Sequence, residues 1–295
     1  ITSNYTTASD TFSTDPQFVK AMSDDQIENV YIFVSDALRW DYLPDSIREM
    51  GSVVKTVTSS TLSPASFASI LSGLYPKNHG VYTFSDKLDP DIGISEFKQS
   101  HNISFWQDHK SDAIFQVLNQ TPTDRSKPSV ESAEPPFICV ERELATHAPY
   151  RTPSDSIKKS EGDAWEYLEK ESSNLGSLRK KYEQAAVEAA DRFQERVQYL
   201  RENDMLSSTL IIFTSDHGEL LGEYCEFGHT LPLCPELIYV PTVIVDPRDK
   251  EISTDLFSHV DIVPTIVDSL DYNSSTNFDG ISVYDDQHRK TAIST

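Results

Sequence analysis

Two stretches of the chain place an acidic residue just beyond an apolar, β-branched run. Residues 209–213 lead into Ser215, Asp216, His217 and Gly218, and Asn29–Ser35 leads into Asp36. Carboxylates leaving the carboxyl ends of two strands in one parallel sheet can converge on a ligand. With an imidazole beside them they suit a divalent cation. Ser63 offers a second kind of chemistry. Pro64 after it fits the first helical position, so the Ser63 hydroxyl sits where backbone N–H groups and the helix dipole favour a phosphate- or sulfate-like anion. His147, beyond the apolar run 137–140, lies at a third strand-end loop, and His229 follows Gly228. Plainer roles compete at each position. Asp216 can cap a turn, Ser63 can be an ordinary helix cap, and His79 beside Gly80 reads as structural. Arg39 can reach a ligand at Asp36, although a bracing pair with Asp41 is the commoner use of such neighbours.

The elements that must position these residues alternate between strand and helix patterns. Strand-like runs cover 29–35, 53–58, 101–107, 137–140, 209–213 and 237–245. The segment 63–73 is a helix, with Phe67, Ile70, Leu71 and Leu74 on one face and Gly73 as its stop. A long amphipathic helix is predicted from about 175 to 203, carrying Tyr182, Ala186, Phe193, Val197 and Leu200 on its apolar side. Such alternation specifies an α/β fold. Residues 1–27 read as a polar arm with a short helix near 18–22, and 28–295 as one domain with a small C-terminal subregion. Residues 119–136 read as loop and 151–174 as a flap over the site.

Composition narrows the function classes. The net charge is −22, with acidic residues spread along the whole chain. That argues against sequence-independent nucleic-acid binding, which needs a basic surface. It suits a heavily hydrated surface and a salt-loving source. Three cysteines without close spacing exclude a disulfide framework or zinc ribbon. No run is long and apolar enough for a membrane span, and the first residues lack a signal-peptide pattern, so a cytoplasmic location is expected.

Taken in order with their local settings, Asp36, Ser63, His147, Asp216, His217 and His229 resemble the sulfatase branch of the alkaline phosphatase superfamily. The similarity is carried by NVYIFVSDALRWDYL, TLSPASFASILSGLYPKNHGV, THAPY, NDMLSSTLIIFTSDHGELLGE, GHTLPLCPELIYVPTVIV and HVDIVPTIVDSL, over roughly residues 28–285. Ser63 stands where the family keeps a Cys, Ser or Thr nucleophile. The resemblance implies a three-layer sandwich around a mostly parallel sheet and hydrolysis of sulfate or phosphate esters, small-molecule or glycan. It implies a divalent cation (Ca, Mn, Mg or Zn) on Asp36, Asp216, His217 and the Ser63 oxygen. His147 and His229 then contact the substrate and its leaving group, with Arg39 as a further contact. Two departures stand out. Phe67 occupies the position of the arginine that accompanies conversion of the nucleophile to formylglycine, which argues against that modification and tilts the chemistry toward phosphate esters. Glu143 and His147 imitate the second-metal pattern of two-metal relatives imperfectly, so one metal is expected. The competing class is a catalytically inactive relative that serves as a binding module.

Overall fold

The structure is a computed structural model that describes residues 26–107, 113–120, 129–150, 163–229, 233–250, 252, 254, 256–286 and 289–295. The expected short helix near 18–22, nearly all of the arm and the first part of the flap lie outside these residues. The described strands are β1 (Asn29–Ser35), β2 (Ser52–Val57), β3 (Asn102–Gln107), β4 (Phe137–Glu143), β5 (Thr209–Thr214), β6 (Leu220–Leu221), β7 (Phe227–Gly228), β8 (Tyr239–Val245) and β9 (Phe257–Ser258). The described helices are α1 (Asp45–Arg48), α2 (Ser63–Ser72), α3 (Pro76–His79), α4 (Ala113–Val117), α5 (Ala164–Glu171), α6 (Leu175–Glu202), α7 (Pro235–Ile238) and α8 (Ile262–Ser269).

Seven strands form one sheet in the order β3-β4-β1-β5-β8-β2-β9. Every neighbouring pair is parallel except those made by β8, which runs against both β5 and β2. Alternation along the central strands divides their side chains between two cores. Val30, Ile32, Val34, Ile138, Val140, Leu210 and Ile212 pack with Phe67, Ile70 and Leu71 of α2, Ile114 of α4 and Ile266 of α8. Tyr31, Phe33, Phe137, Cys139, Ile211 and Phe213 pack against Ala186, Ala190, Phe193, Val197 and Leu200 of α6. Both faces are therefore covered, as a parallel sheet requires, and the α/β sandwich has three layers.

Register decides what gathers at the carboxyl edge. Val34 of β1 pairs with Thr214 of β5, so Asp36 and Asp216 each stand two residues beyond one aligned pair. On the other side Val34 pairs with Arg142 of β4. β2 runs in the sense of β5, and its exit leads through 58–62 into α2 at Ser63. Two strands differ from the sequence expectation: β8 begins at Tyr239 because Leu237 and Ile238 belong to α7, and β4 is longer than its apolar run. β4 continues to Glu143 rather than ending at Val140, and its charged end is wholly buried. Each of those charges has a counterpart, which is what allows them inside. Glu141 accepts from Tyr31 Oη at 2.7 Å and faces Arg196, Arg142 meets Asp36, and Glu143 meets Arg192 at 3.0 Å.

All three cysteines are free, with Cys139 in the core. Among the described residues no helix is long and apolar enough to cross a membrane.

Candidate active site

The helix carrying Ser63 is buried along its whole length and stops at Gly73, whose φ of 72° is the left-handed conformation glycine adopts freely. Leu62, not Ser63, is the N-cap, so Ser63 is the first helical residue and Pro64 the second, one position later than the sequence suggests. Ser63 Oγ lies 3.0 Å from His217 Nε2. The imidazole is oriented from its other side, where Nδ1–H donates to the Gly218 carbonyl at 2.9 Å. Nε2 therefore carries a lone pair toward Ser63. Gly218 is required for close approach rather than for chain freedom. A Cβ there would lie 1.9 Å from the Glu236 carbonyl oxygen, and its N–H donates to the Leu237 carbonyl at 2.9 Å. The entry to β8 thus braces the loop that carries His217.

Asp36 and Asp216 are completely buried. Asp216 Oδ1 accepts from the backbone N–H groups of Ala37 and His217, each at 3.0 Å. Asp36 Oδ2 accepts from Arg142 Nε at 2.7 Å and again from Arg142 Nη2. The remaining oxygens, Asp36 Oδ1 and Asp216 Oδ2, have no hydrogen-bond partner despite burial. Asp216 Oδ2 faces the His217 Nε2 lone pair at 3.3 Å. Ligand atoms of Asp36, Asp216 and His217 all lie within 4.8 Å of one another. Two orphaned carboxylate oxygens and an imidazole lone pair turned on one point repel each other and cost free energy when desolvated. A divalent cation resolves that conflict, and the oxygen-rich donor set fits one.

Electrostatics follow the same geometry. Burial pushes the Asp216 carboxyl up, and the charge of Asp36 adds to it, bringing it to about 7. Burial acts on Asp36 in the same direction, but the Arg142 guanidinium, with His147 and His217, outweighs it and holds the carboxyl below its ordinary range. His217, pushed down to about 3 by burial and by neighbouring His229, is neutral. His229 goes the other way. Burial would lower it, yet the Glu219 carboxylate raises it to about 9. Glu219 is 1% exposed, and its Oε1 lies 3.1 Å from His229 Nδ1.

The structure brings Asp36, Ser63, Asp216 and His217 together. His229 stacks beside them, its ring centroid 4.2 Å from that of His217, and His147 follows at 5.7 Å from His229. Arg39, expected as a substrate contact, is placed otherwise. Its guanidinium donates to Asp41 through Nε at 2.8 Å and Nη2 at 2.7 Å, and to Glu223 at 2.9 Å. Those bonds consume the fork and make Arg39 a brace for the loop after Gly218. Glu143, the residue that imitated a second-metal ligand, takes the Ala145 N–H at 2.6 Å and Arg192 at 3.0 Å, and does not join the group at Asp36.

Two residues escaped the sequence reading. Glu219 directly follows the Asp216-His217-Gly218 run, and an acidic residue ten positions before a histidine was the available signal. Arg142 is hidden because the apolar run stops at Val140, and the charged residues 141–143 give no sign that they continue a buried strand. Its guanidinium carbon lies 5.5 Å from the centroid of the Phe67 ring. A cation thus reaches this wall from β4 although position 67 holds phenylalanine.

Residues 89–272 match the family model described as Sulfatase, a span that includes His147, Asp216, His217 and His229. The chain is 32% identical over 254 residues to the low-salt glycan biosynthesis sulfotransferase Agl7 of Haloferax volcanii, covering 82% of this chain and 61% of that relative. The chain therefore spans about three fifths of that relative's length. The fold is similar to that of a phosphonate monoester hydrolase of Agrobacterium radiobacter, with a TM-score of 0.66 at 17% identity, covering 86% of this chain and 76% of that one. It is also similar to BT4656, solved with its substrate D-glucosamine-2-N,6-O-disulfate, with a TM-score of 0.62 at 14% identity over 88% and 80% of the two chains. At those identities the likeness shows the alkaline phosphatase-like fold.

Proposed function

We propose that this chain, which belongs to the sulfatase family, transfers the sulfuryl or phosphoryl group of a glycan ester to Ser63 and then to water. The observation that carries the reading is the convergence of two unpartnered buried carboxylate oxygens and the His217 lone pair beside the Ser63 hydroxyl. Asp36, Asp216 and His217, with the Ser63 oxygen, would hold a divalent cation. That cation supplies the charge that lowers the hydroxyl's pKa and offsets negative charge gathering on the transferring group.

The protein's own groups do the rest. Ser63 Oγ, fixed at the first turn of a buried helix, gives up its proton to solvent and attacks sulfur or phosphorus as the ester oxygen leaves on the opposite side. His229, cationic through its contact with Glu219, gives its Nε2 proton to that departing oxygen. His147, at the same opening, hydrogen-bonds the ester. Water then displaces the group from Ser63 and restores the hydroxyl. The glycan assignment is supported by the printed names of the Haloferax relative and of BT4656. The first of these names favours a second reading, in which a sugar hydroxyl replaces water as the acceptor.

A panel of sugar sulfates and phosphates, with and without chelator, tests the proposal. Cation-dependent turnover should fall by at least about a thousandfold in Ser63→Ala. Intact mass after a brief pulse should show the transferred group on the protein, and loss of a hydrogen pair at Ser63 beforehand would instead indicate formylglycine. Turnover that survives Ser63→Ala refutes the nucleophile. A cation-loaded protein that turns over no ester is the binding module.

A further inference from the structure

Trp165 stands in the first turn of α5, and 54% of its surface is exposed. A single exposed aromatic ring is common on protein surfaces and needs no partner by itself, so its position relative to the site decides what it can do. A Cβ at Gly228 would lie 3.9 Å from Trp165 Cη2, 3.6 Å from Leu168 Cδ1 and 3.9 Å from Glu219 Oε1. Glu219 Oε1 is the atom that holds His229. Ser63, His217 and His229 thus follow one another in space, and Trp165 lies close to Gly228, the residue that precedes His229.

The helix that carries the indole is firmly seated. Leu168 is 3% exposed and packs with Tyr150, Tyr182 and Leu221, and the Tyr150 and Tyr167 rings meet edge to face at 5.6 Å. Asp163 caps α5 by accepting from the Trp165 N–H at 3.3 Å. Trp165 is thus an exposed ring on a fixed element, close to Gly228, whose neighbourhood also holds the Glu219 carboxylate that pairs with His229. A rigid aromatic face there adds binding energy at little entropic cost.

We propose that Trp165 is a stacking platform for the sugar ring carried by the leaving group, so that the substrate is a sulfate or phosphate ester of a sugar hydroxyl rather than of a small alkyl alcohol. The inference rests on the ester-transfer reading of the same site. The apolar C–H face of the ring lies on the indole, while the ester oxygen faces His229 and the sulfur or phosphorus faces Ser63.

Ser63→Ala protein provides the test because it cannot turn over, in Mn²⁺ or Ca²⁺ at a concentration where calorimetry shows that Asp36, Asp216 and His217 still hold the cation without the Ser63 oxygen. Glucose 6-sulfate and glucose 6-phosphate are titrated beside methyl sulfate and methyl phosphate, following heat and tryptophan fluorescence. Adding Trp165→Ala should weaken binding of the glucose esters by about tenfold, the factor for losing one buried ring face. It should leave the methyl esters unchanged, and Trp165→Phe should retain most of the preference. An exposed side chain can be truncated without unfolding the domain, and the unchanged methyl esters report that the centre is intact. Equal affinity for glucose and methyl esters, or glucose-ester binding indifferent to Trp165→Ala, overturns the platform while leaving the ester site standing. Failure of all four esters to bind overturns the ester reading and the platform with it.

Discussion

Arg142→Met separates the contribution of a protein cation from that of a bound one. Arg142 neutralises Asp36 through Oδ2 alone, leaving Oδ1 turned toward Asp216 and His217. Removing one partner of a buried ion pair costs about 3–5 kcal/mol, because the other charge stays buried and uncompensated. For 295 residues an unfolding entropy of about 2.1 cal/mol/K per residue gives about 0.6 kcal/mol per degree, so the variant should melt about 5–8 °C below the parent in chelator. A divalent cation on Oδ1 restores a counter-charge to Asp36, so in saturating Mn²⁺ the deficit should shrink by half or more. Calorimetric melts of both proteins in both conditions measure it, with Arg142→Lys separating charge from fork geometry. A deficit of the same size with and without cation would show that Asp36 does not contribute to the cation site, and a deficit under about 1 °C in chelator would show that the pair is not load-carrying for Asp36 at all.

Two further outcomes follow from other groups. Glu219→Gln removes the charge that raises His229 to about 9, so the alkaline limb of the kcat profile should move to lower pH while cation binding, measured by titration calorimetry, stays within about twofold. His79, 7% exposed, accepts from the Val81 N–H at 3.0 Å and donates to Ser69 Oγ at 3.0 Å, and burial pushes it down to about 4. The unfolded chain takes up that proton near pH 6.5 and the folded one near 4, so stability should fall as pH drops through this window. The loss reaches up to about 3 kcal/mol, and urea denaturation of His79→Gln should lack that part of the slope.

The strands were readable because a parallel sheet covered on both faces leaves continuous apolar runs, as 29–35 and 209–213 show. Asp36, Ser63, Asp216 and His217 stood out because each follows directly from such a run or opens a helix. Arg142 did not, because a charged triplet extending a strand reads as its end unless the counter-charges are known, and these come from Asp36, Arg196 and Arg192, far away in sequence. For Arg39 the bracing pair with Asp41 was legible from spacing, whereas Glu223, which completes its fork from far away in sequence, was not. Glu219 needed the approach of 228–229 on the β6–β7 hairpin to acquire meaning. Binary pattern locates strand ends; it does not say which ends meet.

The antiparallel placement of β8 has a practical consequence. Because β1, β2, β4 and β5 all exit at one rim, chemistry is confined there, and the only sheet strand among the described residues to enter at that rim is β8, whose lead-in supports Gly218. At the opposite rim the turn from α6 into β5 passes through Asn203 and Asp204, both exposed, with Asp204 at a φ of 59°. A tag or a surface linker inserted there would hold the protein by its inert side and leave the mouth at Ser63 facing outward.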